Sequence, residues 1–177
     1  MRRAILGLCA IGLIAAGARA ADPSPIEVRI RAEKTKAREK GMDMGMSGRT
    51  TTEKTVFVAT VSNRQISKPV QKIRLKLYSV SVSNDFDPTW REYHVEEVLE
   101  SEVFDLGPNE KGREVTVGHS AVESFDGRDG DGEGKTGASY KGCLVEVYIG
   151  EALVDVIISG GTKVRDAVTA YRKEMGE

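Results

Sequence analysis

Gly142-Cys143-Leu144-Val145-Glu146-Val147-Tyr148-Ile149, then Gly150-Glu151, then Ala152-Leu153-Val154-Asp155-Val156-Ile157-Ile158, is the strongest structural signal in the chain. Two runs rich in β-branched residues flank a two-residue turn containing glycine, which is the pattern of a β-hairpin. Cys143 shares its strand phase with Val145, Val147 and Ile149, so it is expected to be a small buried hydrophobe and not a reactive thiol. After Gly160-Gly161 the period changes. Val164, Ala167, Val168 and Tyr171 recur at helical spacing, which predicts a short terminal helix over residues 162–175 with Thr162 as its cap candidate.

Working backward from this hairpin, the same alternation recurs. Ile26, Val28, Ile30 and Ala32 alternate with Glu27, Arg29 and Arg31, a period of two that places apolar groups on one sheet face. It returns at residues 55–61, stops at Ser62-Asn63-Arg64, and resumes over residues 70–82, where Ile73, Leu75 and Leu77 oppose Lys72, Arg74 and Lys76. Residues 90–106 lose their phase around Glu96-Glu97, which predicts a bulged strand or two short ones. A turn at Leu106-Gly107-Pro108-Asn109-Glu110-Lys111-Gly112 leads into a strand from Val115 to about Val122. Residues 34–53 show no apolar alternation and are expected to form a long loop. About seven strands with turn-rich connections predict an all-β, antiparallel β-sandwich of immunoglobulin or fibronectin type with a short C-terminal helix, a small barrel being the alternative.

The start of the chain has the anatomy of an export signal. Met1-Arg2-Arg3 is basic, residues 4–18 are uncharged, and Ala18-Arg19-Ala20 supplies small residues at the two positions a signal peptidase reads, so cleavage is expected after Ala20. The uncharged run is shorter than the roughly 20 residues a membrane helix needs, and no transmembrane segment is expected after signal removal. Residues 21–177 then form one domain. Loss of Arg2, Arg3 and Arg19 leaves 23 basic residues against 27 acidic ones, a net charge of −4. That balance disfavours binding driven by nucleic-acid phosphates. Cys9 leaves with the signal, so Cys143 has no intramolecular partner even in an oxidising compartment.

Val58-Ala59-Thr60-Val61-Ser62-Asn63, residues 70–78, Leu106-Gly107-Pro108-Asn109-Glu110 before Val115-Thr116-Val117, and the closing hairpin resemble bacterial immunoglobulin-like modules of CARDB or FxLYD type, over residues 54–158. The resemblance implies a non-catalytic adhesion, assembly or scaffolding unit and carries no site residue with it.

Three stretches offer chemistry. Met42, Met44 and Met46 place soft thioethers at alternate positions, a ligand set suited to Cu(I); the competing reading is a loop with incidental methionines. Asp129, Asp131 and Glu133 imitate the opening of a calcium loop, but the closing glutamate would fall at Tyr140, and a solvated hairpin tip is the competing reading. Trp90, with Phe86 and Tyr93, forms either a stacking platform or part of the core. His119 and Ser120 are neighbours on a strand and therefore point to opposite faces, which denies them a shared hydrogen bond. With only His94 and His119 as imidazoles, and no nucleophile elbow or phosphate loop, the expected function is an exported, non-catalytic protein that binds or scaffolds a protein or cell-envelope partner in the periplasm or outside the cell. A periplasmic metal-binding protein is the alternative and a hydrolase the third.

Overall fold

The computed structural model describes residues 24–43, 46–84, 91–129 and 132–176. The expected signal residues 1–20, Met44, Phe86, Trp90 and Asp131 lie outside these residues. Eight strands and one helix follow in order: β1 (Ile26–Asp43), β2 (Met46–Asn63), β3 (Val70–Asn84), β4 (Arg91–Glu100), β5 (Phe104–Leu106), β6 (Arg113–Asp129), β7 (Gly132–Ile149), β8 (Ala152–Ser159) and α1 (Thr162–Met175). They form one antiparallel sheet in the order β1-β2-β6-β7-β3-β4, with β5 added to β3 and β8 to β7. This sheet curls into a half-barrel.

The curl follows from the long β6–β7 hairpin. Near its tip, residues 124–129 of β6 pair with residues 132–137 of β7. Further along, β7 pairs instead with β3 on one side and β8 on the other. The β1-β2-β6 layer therefore folds over the β3-β7 layer. The concave side buries Ile26, Val28, Phe57, Ala59, Val61, Ile73, Leu75, Leu77, Val117, Val145 and Val147, with Cys143 among them at 1% exposure. Each Val, Leu, Ile or Phe among them contributes about 1.5–3 kcal/mol on leaving water. Extra residues in the ladder tighten the bend: the pairing shifts at Phe57/Val58, at Ser79/Val80 against β4 and at Val80/Ser81 against β7.

One end of the half-barrel is tied shut. Asn63, 1% exposed, donates from Nδ2 to the carbonyls of Lys68 and Gly107, both at 2.8 Å, and its Oδ1 accepts from the Gln65 amide at 2.8 Å. Its own amide donates to the Glu110 carbonyl. A buried amide with its bonding capacity filled in this way fixes the loops around it.

The convex side of β3 and β7 carries a second core. Tyr78, Val80 and Leu144 pack beneath Val164, Ala167 and Val168 of α1. Glu146, 3% exposed, also lies under the helix, where it pairs with Arg172 and accepts from the Tyr148 hydroxyl at 2.9 Å and that of Tyr78 at 3.4 Å. The Arg172 guanidinium also stacks over the Tyr78 ring. Gly142 and Gly160 let the chain pass from β8 to the helix: a side chain on Gly142 would collide with the Ser159 carbonyl, and Gly160 adopts φ 105°.

The terminal hairpin, the helix and the bulge near Glu96 match the sequence expectation. Residues 90–106 resolve into both forms foreseen for them, a bulged strand and a second short one. Two corrections are needed. Residues 34–43 and 46–53 are not a loop: β1 and β2 stay paired from Ile26↔Asn63 to Asp43↔Met46. Thr162 is not the cap either. Gly161 holds that position without a side-chain bond, and Thr162 is the first helical residue.

Candidate functional site

The inward-facing residues of each strand change character along its length. On β1 the phase that begins Ile26, Val28, Ile30 continues as Ala32, Lys34, Lys36, Arg38. On β2 the sequence Val61, Ala59, Phe57 continues as Thr55, Glu53, Thr51, Arg49. Beyond its bulge, β6 supplies Gly118, Ser120, Val122, Ser124 and Asp126 opposite these residues. Apolar groups thus fill the closed end of the curl, and mostly polar or charged groups line the rest.

Where the apolar lining stops, a cleft of about 320 Å³ opens among Lys36, Arg38, Arg49, Thr51, Glu53, Ser124, Asp126, Thr136, Ala138 and Ser139. That volume lies at the small end of the range of ligand sites, roughly 300–1,000 Å³. Glu53 forms its floor. The residue is 7% exposed, and its carboxylate is held by Lys34 at 2.8 Å and Lys36 at 3.0 Å. Burial alone would push this carboxyl up, but the hydrogen bonds and charges of the two lysines outweigh it and hold the group below the ordinary carboxylate value.

Beneath Glu53 the two lining chemistries meet. The Lys34 ammonium lies 4.6 Å from the centre of the Tyr140 ring, which packs on Phe57 at 5.4 Å. Burial, the neighbouring Cys143 and the Glu53 charge all push the Tyr140 phenol upward, so it stays protonated. Burial likewise raises the Cys143 thiol, against the opposing effect of its bond with Tyr140, which keeps it an inert core group. Thr55 and Ser79, on the same concave face, are each 1% exposed, and their hydroxyls have no hydrogen-bond partner among the described residues.

A second polar cluster lies where β4 joins β3, outside the cleft lining. Ser81 of β3 pairs in register with His94, and the bulge swings Glu96 toward both. His94 Nε2 lies 3.0 Å from Ser81 Oγ and 2.8 Å from Glu96 Oε1, and the Ser81 hydroxyl also donates to Glu96. One serine, one histidine and one carboxylate meet here, but not as a relay. A relay uses the two imidazole nitrogens separately, one toward the hydroxyl and one toward the acid. Here Nε2 faces both partners, and Ser81 is fully buried. The arrangement lets a carboxylate accept two bonds; it does not present a nucleophile.

His119 is exposed and Ser120 buried, on opposite faces as expected. Tyr93 packs beneath α1 with the Lys163 ammonium over its ring, so it belongs to the convex core. Met42 and Met46 sit on the ends of β1 and β2, and Asp129 and Glu133 on the ends of β6 and β7; Met44 and Asp131 lie outside the described residues. The register brings these two tips side by side, since Ser47 pairs with Arg128 and Gly48 with Gly127. Asn84, where β3 leaves the sheet, pairs with Gly137 at the same end. Among the described residues no group of three or more His, Cys, Asp or Glu side chains is placed to hold a metal ion, and no helix is long and apolar enough to cross a membrane.

No family model, curated protein or solved structure matches this chain.

The cleft was not found from the sequence. Its signal was present in Lys34, Lys36, Arg38 and in Thr51, Glu53, Thr55, which have a strand period of two. It is invisible to a search for alternating apolar residues because both faces there are polar.

Proposed function

We propose that this chain is an exported, non-catalytic binding module of the immunoglobulin-like or small-barrel kind, and that it takes up a polar ligand in the cleft above Glu53. One observation carries the reading: a buried carboxylate held by two lysines forms the floor of a concave, polar cavity instead of an apolar core. Burying an ion pair costs desolvation that a hydrophobic filling would avoid. Such a lining is therefore better suited to recognition than to stability. The leader up to Ala20 supports a site of action outside the cytoplasm, and the acidic balance of the mature chain disfavours nucleic acid as the partner.

Native mass spectrometry of the protein purified from its own host tests this. The expected result is a bound small molecule on the wild type that is absent from Thr51→Trp, in which the indole fills the cleft. A wild type that carries no adduct, or an adduct equally abundant in Thr51→Trp, would contradict it.

The side-by-side hairpin tips favour a second reading, metal binding. Thioethers of Met42, Met44 and Met46 suit Cu(I), whereas carboxylates of Asp129, Asp131 and Glu133 suit calcium, so the two sets are separate candidates despite their adjacency. Cu(I) retained against a moderate chelator and lost on replacing the three methionines would support the first; a calcium heat at millimolar concentration, lost in Asp129→Asn, would support the second.

A further inference from the structure

Resting on the proposal that the cleft is a binding site, we infer that its ligand is a small oxyanion-bearing molecule with about two negative charges, a phosphate ester or a polycarboxylate, gripped by Arg38 and Arg49.

Cross-strand pairing stacks the inward residues in rungs. The lowest is Lys36–Glu53–Val122, the next Arg38–Thr51–Ser124, and the outermost includes Arg49–Asp126. In the lowest of these rungs Lys36 pairs with Glu53, and Lys34, from the rung below, binds the same carboxylate, so two cations share one negative charge there. In the middle rung Arg38 faces only hydroxyls, those of Thr51 and Ser124. Among the described residues neither Arg38 nor Arg49 forms an ion pair, although each lines the cleft. Three cations, Lys36, Arg38 and Arg49, line the cleft against two carboxylates, Glu53 and Asp126. Lys34, which binds Glu53 from outside this lining, brings the local excess to two positive charges in a chain whose net charge is −1.

The residue types narrow the ligand further. A guanidinium offers a planar fork of donors that matches two oxygens of a carboxylate or phosphate at once, which an ammonium cannot do. Thr51, Ser124, Thr136 and Ser139 add hydroxyls at the rim that can donate to the remaining oxygens. Glu53 rejects anions from the floor, so the ligand's negative end is expected to sit at the level of Arg38 and Arg49 with its uncharged part nearer the floor. The concave walls strengthen each attraction relative to an open surface.

Isothermal titration with pyrophosphate and with citrate tests the inference and separates the two chemistries. At low salt at least one probe should bind, about tenfold more weakly in Arg38→Gln and in Arg49→Gln, with no measurable heat in the double variant. Affinity should fall as sodium chloride is raised. Both arginines are exposed, so the thermal melts of these variants should overlay that of the wild type, which separates lost binding from lost folding. Absence of heat with both probes at millimolar concentration, or binding unchanged in the double variant, would overturn the inference. If the molecule carried by the purified protein proves neutral or cationic yet is still excluded by Thr51→Trp, the anion assignment fails while the cleft as a binding site stands.

Discussion

At the closed end of the half-barrel, Phe57, Ala59 and Val61 of β2 face Leu75, Leu77, Val145 and Val147 across a dry interior. Further along the same strand, Thr55, Glu53 and Thr51 lie beside Ser120, Val122 and Ser124 of β6. The β1–β2 ladder does not distinguish these regions. Pairing of β1 with β2 runs without a shift from Ile26↔Asn63 to Asp43↔Met46, so a single ladder serves both as wall of a core and as wall of a cleft. Along this ladder it is the inward side chains, and not a break in pairing, that mark where the core ends and the cleft begins.

The sharpest way to test this contrast is to make comparable truncations in each half. Leu77→Ala, in the dry half, should cost about 3 kcal/mol by urea denaturation because it leaves a cavity in close-packed surroundings. Thr51→Ala, in the cleft, should stay within about 0.5 kcal/mol of the wild type. Similar losses at the two sites would erase the distinction.

The convex face offers a buried charge with a different task. Glu146 fastens α1 through Arg172 and two tyrosine hydroxyls, so Glu146→Gln should lose about 2 kcal/mol, since it leaves the guanidinium without its counter-charge. The double variant Glu146→Leu/Arg172→Met should recover much of that loss. If it does not, the pair contributes more than mutual neutralisation.

Glu53 in the cleft should respond to pH instead. Its folded pKa lies below the ordinary 4.5, so the stabilisation from Lys34 and Lys36 is complete above about pH 5 and is lost as pH falls through the folded value. Glu53→Gln should therefore be less stable than the wild type by about 1 kcal/mol at pH 7, a modest amount because both lysines are solvent-exposed. The gap should close toward pH 3, and a constant gap would show that the carboxylate charge is not what stabilises the fold.

The smallest effect is expected where the two regions meet. Thr55→Val removes a buried hydroxyl that has no partner among the described residues and preserves its shape, so stability should rise by up to about 1 kcal/mol. A loss would mean that the hydroxyl is hydrogen-bonded.

Much of the dry half was legible in the sequence, since Ile73-Leu75-Leu77 and Val145-Val147 alternate apolar with polar and each strand has one wet face. The polar half was not. Lys34, Lys36 and Arg38 alternate with Thr35, Ala37 and Glu39, so neither phase looks buried, and the stretch resembles a loop although it is a paired strand. The continuous curl was equally hidden: one edge of β7 pairs with β6 near the tip and with β8 further along, while β3 takes the other edge, a long-range pairing that local periodicity cannot encode. The Ser81–His94–Glu96 contact depends on that same non-local register and on a bulge whose general place, though not its consequence, was visible at Glu96-Glu97.

The central claim is that one curled sheet encloses a dry core at one end and a wet cleft at the other. Maleimide labelling of single-cysteine variants in a Cys9→Ser/Cys143→Ala background tests it directly. Thiols introduced as Thr51→Cys and Ala138→Cys should react within about tenfold of a free peptide thiol, whereas Leu77→Cys and Val145→Cys should react at least about a hundredfold more slowly, limited by opening of the fold. Protection of Thr51→Cys and Ala138→Cys to the same degree as Leu77→Cys would contradict the account, because the cleft would then be as closed as the core.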